Sequence, residues 1–237
     1  MGRFLMLACA LLATIRAQQA ETEFHGTVVD SDGKPVAEAR VDTYWAVVDG
    51  KLSPRAGTRT DAEGAFKIRV HCTPNRPTPI MAVDKSGTLG AALPLDPDHP
   101  EVKLTLVPMV KVHGETTSTE LDAPIERCFV SVFHPKATLA LVGIDSAKKF
   151  SLLLPPGDYR LTYYAADCVG TAKNASVAAD SKEVDFGTVN LAPTVLARLY
   201  GKAPPKWSVS DARGVEKTVE LTDFKGKWVL MEFWGYW

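Results

Sequence analysis

The sequence predicts a mainly β protein, with two β-sandwiches in tandem followed by the first part of an α/β domain. Three observations predict this. Residues alternate with a period of two from residue 21 onward, which is typical of half-buried strands. Short sequence features recur at a near-constant offset, which indicates a duplicated module. After Pro193 the composition changes, and a continuous apolar run follows a Gly- and Pro-rich stretch.

The composition is that of an ordinary folded protein. Of its 237 residues, 46% are hydrophobic and 23% are charged, which excludes collagen, coiled coil and wholesale disorder. With 27 basic and 28 acidic residues the net charge is -1, so no nucleic-acid partner is predicted. Four cysteines are too few for a disulfide scaffold, so burial of apolar surface must stabilise the fold.

Residues 1–20 have the pattern of a secretory signal peptide. A positively charged start precedes a mostly apolar run over residues 4–15, and small and polar residues follow over 16–20. The apolar run is too short to cross about 30 Å of hydrocarbon as a helix. We therefore predict export to the periplasm or the extracellular space. Membrane anchoring is the alternative if this segment is retained.

Strand and turn signals alternate through the first segment. Residues 24–29 alternate with a period of two, the D-S-D-G-K-P stretch at 30–35 interrupts them, and the pattern resumes over 39–47. The T-D-A-E-G stretch at 60–64 repeats the turn before the next alternating run. The segment is therefore predicted to consist of strands and turns, without a sustained helical period.

A second segment repeats the first. The His-Gly pair at 25–26 recurs at 113–114, and further Pro and Phe positions recur at offsets of about 84 to 89 residues. Segments 21–108 and 109–195 are each long enough for about seven short strands. Each is predicted to fold as an Ig-like or prealbumin-like β-sandwich.

Two stretches of the first segment match a known domain family. They are G-T-V-V-D-S-D-G-K-P-V-A-E-A-R-V at 26–41 and T-D-A-E-G-A-F at 60–66. The segment resembles the carboxypeptidase regulatory-like domain, a transthyretin-like sandwich appended to many exported proteins. The second segment is similar to a more divergent copy, because 116–122 lacks the Asp-Gly turn. The resemblance implies a spacer or docking module and no chemistry for residues 21–195.

Two groups of polar residues in these segments favour turns and strand starts over metal binding. Asp30, Asp32 and Gly33 lack the spacing of a calcium loop, in which Gly stands at position 6 and a bidentate Glu at position 12. His25 and His113 each precede a glycine without the spacing of zinc ligands. The sequence therefore predicts neither a metal site nor a cofactor.

The cysteines and the strand aromatics each leave an alternative open. Cys128 and Cys168 lie in the same segment and are the candidate disulfide pair, whereas buried free thiols are the alternative. Trp45, Tyr163 and Tyr164 are aromatic residues in strands, which usually pack in the core. Their alternative is a platform on which a sugar ring stacks.

The last part of the chain, residues 196–237, predicts a different kind of domain. A Gly- and Pro-rich linker at 201–205 precedes two predicted short strands around residues 211–214. Residues 228–234 are apolar on both alternating faces except at Glu232. Such a run predicts a central strand that is covered on both sides, as in an α/β sheet.

The motifs of this part, in order, are G-K-A-P-P, a D-x-x-G hairpin, L-T-D-F-K-G-K and F-W-G-Y-W. This part resembles the opening of a thioredoxin-like redoxin domain from exported thiol-disulfide oxidoreductases. The resemblance implies a C-x-x-C pair directly after Trp237, which would exchange disulfides with protein or small-molecule thiols and with an unidentified redox partner. It implies that Glu232 is the proton acceptor for the resolving cysteine and that Trp237 shapes the substrate shelf.

The chain stops at Trp237, before these cysteines. We therefore expect a parent protein that continues with Cys-x-x-Cys, and a chain that is inactive without it. The alternative is a non-catalytic exported β-sandwich protein that binds a partner or acts as a spacer.

Overall fold

The computed structural model describes residues 21–48, 50–73, 77–121, 124–135, 137–143, 148–202, 206, 211–230 and 232. The chain divides into two compact units, which meet between Thr194 and Val195. The described part contains seventeen strands and two short 3-10 helices, which confirms the mainly β prediction. None of the described helices has the length and apolar character of a transmembrane span.

Ten strands belong to the first predicted segment. They are β1 Glu21–Val29, β2 Arg40–Asp42, β3 Trp45–Val48, β4 Lys51–Pro54, β5 Thr58–Arg59, β6 Ala65–His71, β7 Thr78–Val83, β8 Leu89–Leu95, β9 Glu101–Thr105 and β10 Val107–Pro108. Seven strands follow in the second. They are β11 Val110–Thr117, β12 Phe129–Phe133, β13 Thr138–Gly143, β14 Lys149–Leu154, β15 Gly157–Tyr164, β16 Thr171–Val177 and β17 Glu183–Asn190.

The first sandwich consists of two sheets that pack face to face. One sheet has the order β6-β1-β9, and the other has the order β10-β8-β7-β2-β5. The inward residues of both sheets share one core, which includes Phe24, Phe66 and Leu104 from the first sheet and Val41 and Ile80 from the second. The alternation in residues 24–29 thus has the physical cause that the sequence indicated, since alternate side chains point into this core.

The second sandwich repeats this strand order. Its small sheet has the order β14-β11-β17, and its large sheet has the order β16-β15-β12-β13-β3-β4. Val112 and Phe150 from the small sheet meet Val130 and Leu161 from the large sheet in a larger core. Strands β1 and β11, which carry the recurring His-Gly pair, occupy the same central position in their small sheets.

Strands β3 and β4 form a hairpin that leaves the first sandwich and extends the large sheet of the second. β3 runs parallel to β13, with Trp45 opposite Ala140 and Val47 opposite Val142. The predicted boundary between residues 108 and 109 falls between β10 and β11. The domain bounds stay a prediction. The β3–β4 hairpin belongs to the first predicted segment but lies in the large sheet of the second sandwich, so the two sandwiches share a sheet.

Strand β7 shows the consequence for packing. Ile80 and Ala82 face the core of the first sandwich, whereas Met81 and Val83 belong to the core of the second. Both faces of β7 are therefore buried, whereas an antiparallel sheet commonly exposes one face to solvent. The two cores are separated by this one layer of backbone.

Three Asp-x-x-Gly turns connect strands of the first sandwich. Asp30 Oδ1 accepts hydrogen bonds from the backbone N–H groups of Asp32 and Lys34, both at 2.9 Å. Asp61 and Asp84 accept equivalent bonds from residues two and four positions later. In each turn the glycine has a positive φ, at Gly33, Gly64 and Gly87. The carboxylate of Asp30 thus closes a turn, as the sequence predicts.

Residues 195–237 form the second unit, which differs from the sequence prediction. Its described residues contain the 3-10 helices Ala197–Leu199 and Leu221–Phe224 and no strand. Residues 228–230 are irregular and exposed, where the sequence predicts a covered central strand. A strand forms when a neighbour satisfies its N–H and C=O groups, and no described segment pairs with residues 228–230.

Candidate functional site

The seam between the sandwiches, where the β3–β4 hairpin leaves β2, contains contacts of Arg40, Asp42 and Trp45. Trp45 is fully buried, and its indole N–H donates to the carbonyl oxygen of Asp42 at 3.1 Å. The guanidinium of Arg40 lies over the indole ring, 6.0 Å from its centroid. These contacts fix the point at which the hairpin departs from β2.

The carboxylate of Asp42 organises the same corner. It accepts hydrogen bonds from the backbone N–H of Thr43 at 2.6 Å, of Tyr44 at 3.3 Å and of Ala56 at 2.9 Å. It therefore ties the start of the hairpin to its end. A buried carboxylate that accepts several N–H bonds is a structural device, because those bonds replace its lost hydration.

A cleft of 740 Å³ lies beside the seam. Its lining includes Val47 from the hairpin, Val142 from β13, and His113, Phe150 and Ser151 from the small sheet. The first sandwich has a counterpart of 470 Å³. That cleft is lined by the matching His25, Gly26 and Phe66. The repeated residues therefore line equivalent clefts in the two sandwiches.

Three polar residues cross the small sheet of the second sandwich in one row. Ser151, His113 and Asp185 are register partners on β14, β11 and β17. His113 Nδ1 lies 3.5 Å from Asp185 Oδ1, and its Nε2 lies 3.4 Å from Glu183 Oε1. A serine nucleophile needs a ring nitrogen about 2.6–3.2 Å from its hydroxyl. Because both nitrogens of His113 face carboxylates, the row is a charged surface strip.

The histidines of both small sheets lie beside carboxylates. His25 Nε2 lies 3.3 Å from Glu23 Oε1, and His113 lies between the two carboxylates described above. Among the described residues, no group of three or more His, Cys, Asp or Glu side chains is arranged to hold a metal ion.

The described cysteines lie in apolar surroundings. Cys128 is buried, Cys72 and Cys168 are half-buried, and all three are free thiols. Burial raises the pKa of each of these thiols. A raised pKa lowers the thiolate fraction at neutral pH, so these side chains are poor nucleophiles. The pairing of Cys128 with Cys168 stays a prediction, which the mass of the unreduced protein tests.

The residues predicted for catalysis lie in the second unit. Glu232 is exposed and lies outside the described strands, whereas the sequence predicts a carboxylate buried within a strand. Its role as proton acceptor stays a prediction. Trp237 lies outside the described residues.

The three candidate aromatic residues have different positions. Trp45 and Tyr163 are fully buried in the core, so a sugar platform built from all three is wrong. Tyr164 is partly exposed and stacks on Phe129, with ring centroids 4.9 Å apart. Phe129 was not among the aromatic candidates from the sequence. It lies opposite Tyr164 on the neighbouring strand β12.

Comparisons with known proteins identify no family. No protein-family model matches the chain, and no curated protein matches it. Several solved structures share a weak resemblance. The Bacillus anthracis TIE protein has a TM-score of 0.34 and 7% identity, covering 73% of this chain. This chain spans 34% of that protein.

Two pilins are similar at the same level. The shaft pilin SpaA from Lactobacillus rhamnosus GG has a TM-score of 0.29 and 9% identity, covering 74% of this chain and 98% of its own. GBS52, the minor pilin of Streptococcus agalactiae, has a TM-score of 0.34 and 11% identity, covering 72% of this chain and 96% of its own.

Proposed function

We propose that residues 21–194 are a non-catalytic spacer in an exported protein, and that the pair of sandwiches holds the C-terminal part at a set distance from the N-terminal end. The observation that carries this proposal is the large sheet that both sandwiches share through β3 and β13. A spacer needs modules that do not hinge freely, and a shared sheet with cores on both faces of β7 opposes hinging.

The polar side chains of this unit support the same proposal. Asp30, Asp42, Asp61 and Asp84 each accept backbone N–H bonds that close turns or corners. The described thiols have raised pKa values, which opposes a role in thiol exchange. The chemistry of these residues is therefore that of a scaffold.

Limited proteolysis of the full chain tests the spacer. We expect cleavage within residues 195–232 and one protected product that contains both sandwiches. Early cleavage between β10 and β11, giving two separately stable halves, would contradict the proposal. An insulin-reduction assay is the second measurement, with the variant C72S/C128S/C168S as control. Activity of the full chain that this variant loses would contradict the non-catalytic role.

A second candidate is thiol-disulfide exchange by a longer parent protein. The observation that favours it is the ordered set of motifs from G-K-A-P-P to F-W-G-Y-W. Exposure of Trp228 and Leu230 supports it, since large apolar side chains favour burial in a larger fold. In this proposal a thiolate attacks a substrate disulfide, a mixed disulfide forms, and a second cysteine resolves it.

The coding DNA beyond codon 237 tests this candidate. Cys-x-x-Cys at the next positions is the expected result, and a stop codon in the intact gene would overturn it. On the extended protein, insulin reduction should disappear when both new cysteines are changed to Ser. E232Q should slow the reaction and leave the fold unchanged, because only the proton acceptor is removed.

A further inference from the structure

In each small sheet, the first and last strands in chain order are hydrogen-bonded neighbours that run in parallel. β1 pairs with β9, and residues His25 to Val29 lie opposite Glu101 to Thr105. β11 pairs with β17 in the same orientation, from Lys111 opposite Glu183 to Thr117 opposite Asn190. The chain therefore enters each small sheet at one end of a parallel ladder and leaves it at the other.

This orientation decides how tension acts on the ladder. When the two chain ends are pulled apart, the parallel strands are drawn past each other along their length. All hydrogen bonds of the ladder are then stressed together, whereas pulling both strands from the same end breaks them one after another. Rupture in the first geometry needs a larger force, because several bonds must fail at once.

The ladder of the first sandwich is continuous and closed at both ends. The N–H of His25 donates to the carbonyl of Pro100 at 3.0 Å, and the N–H of Leu106 donates to the carbonyl of Val29 at 2.8 Å. On its inner side, Val28 and Leu104 are buried. Burial of one face keeps water from replacing the stressed bonds. β1 also pairs with β6 on its other side, so it is held from both edges.

The ladder of the second sandwich contains a bulge and is reinforced by side chains. The register shifts between His113 and Glu115. At the entry end, Lys111 Nζ lies 2.7 Å from Glu183 Oε1. At the exit end, Asn190 Oδ1 accepts the N–H of Thr119 at 2.9 Å. These two contacts tie the strands at the ends of the ladder, on either side of the bulge that interrupts its backbone pairing.

The connection between the two ladders leaves little slack. Only Met109 separates β10 from β11. The hairpin of the first sandwich is hydrogen-bonded into the large sheet of the second. Tension that leaves β9 therefore reaches β11 through a short, packed segment.

We propose that the sandwich pair is a force-bearing tether, in which the β1–β9 and β11–β17 ladders act as mechanical clamps between the two ends of the unit. This inference rests on the proposed spacer function and deepens it, since it states what the spacer must withstand. The force acts through the segments that are attached to the two ends of this unit.

Single-molecule force spectroscopy on the full chain tests the tether. All four native cysteines are changed to Ser, and handles are attached to new cysteines on exposed positions of the first sandwich. The variant E21C/T105C is pulled from opposite ends of the β1–β9 ladder. The variant E21C/E101C is the matched control, because its handles lie at the same end and it differs only in the second position.

At one pulling rate, we expect E21C/T105C to rupture at no less than twice the force of E21C/E101C. Equal or lower force for E21C/T105C overturns the proposal. A third variant, E21C/A192C, pulls across both sandwiches and should rupture in the higher range, and rupture at the force of the same-end control also overturns it. Failure of the spacer function is seen separately, as independent halves in proteolysis or as thiol-exchange activity.

Discussion

The two sandwiches share a strand order but differ in the segment that follows β2 in the first and the equivalent strand β12 in the second. In the first sandwich this segment is the β3–β4 hairpin, which adds to the neighbouring sheet. In the second sandwich, only the four residues 134–137 lie between β12 and β13. One repeat therefore donates strands, and the other receives them at the free edge of β13.

The edge of β13 is where the hairpin of the first repeat pairs. An exposed edge strand presents unpaired N–H and C=O groups, which favour another strand. The hairpin satisfies those groups on β13 and brings Trp45 into the core of the second sandwich.

Removal of Trp45 should have the largest effect, although the residue belongs to the first repeat in sequence. W45A leaves a cavity in the core of the second sandwich and should lower the free energy of unfolding by about 3–5 kcal/mol. Chemical denaturation measures the loss, and hydrogen exchange should show lost protection in β13. W228A is the matched control, with an expected change within about 0.5 kcal/mol, because Trp228 is fully exposed. Equal losses for both variants would break the comparison.

The glycines at the recurring His-Gly pairs should differ in their tolerance of a side chain. In G26A the new Cβ would lie 2.5 Å from the carbonyl oxygen of Val102, which is backbone and cannot move away. In G114A the nearest atom is in the Phe150 ring at 2.8 Å. We expect G26A to cost about 1–3 kcal/mol and G114A less.

Thermal unfolding measures both glycine variants. G143A is the control, since nothing lies within 4 Å of the new Cβ, and its melting temperature should stay near that of the unchanged chain. A larger loss in G114A than in G26A would contradict the closer approach of backbone at Gly26.

Two buried tyrosines of β15 test the core of the second sandwich more finely. The hydroxyl of Tyr159 donates to the carbonyl of Pro155 at 2.7 Å, so Y159F should lower the free energy of unfolding by about 1 kcal/mol. The buried hydroxyl of Tyr163 has no partner among the described residues. Y163F should therefore be neutral or stabilising in chemical denaturation. The reverse order would contradict the assigned hydrogen bond.

The same tyrosines predict a loss of stability in alkaline solution. Burial raises the pKa of Tyr163 to about 12, and burial raises the pKa of Tyr159 further. In the unfolded chain both ionise near the ordinary value of about 10. Their contribution is therefore complete below about pH 10 and is lost as the pH rises toward the folded values, because the unfolded state releases protons first.

Denaturation midpoints between pH 8 and pH 12 measure this decline. Y163F should show a shallower decline than the unchanged chain, since one of the two titrating groups is removed. An identical slope in both proteins would show that Tyr163 does not contribute.

Much of the fold was predictable because it follows from local patterns. The alternation in residues 24–29 and the Asp-x-x-Gly turns at Asp30 and Asp61 lie where the sequence indicates them. The His-Gly repeat predicted a duplicated module, and its two copies lie on β1 and β11, which are the central strands of the two small sheets. These features depend on residues that are close in the chain.

The candidate site was less predictable, because it depends on contacts between distant segments. The sequence predicts that Trp45 packs in a core or forms a sugar platform, but it does not indicate that the core is that of the second sandwich. Residues 228–230, which belong to the strand predicted over 228–234, are irregular. The redox roles of Glu232 and Trp237 stay predictions.

The strands, their turns and the duplication follow from the sequence, since side-chain alternation and turn chemistry act over a few residues. The edge that the β3–β4 hairpin joins and the apolar runs that become buried depend on contacts made in the folded chain. The physical reason is that a strand acquires its hydrogen-bond partners and its cover from elsewhere in the chain. β3 found both beside β13, and among the described residues the segment 228–230 found neither.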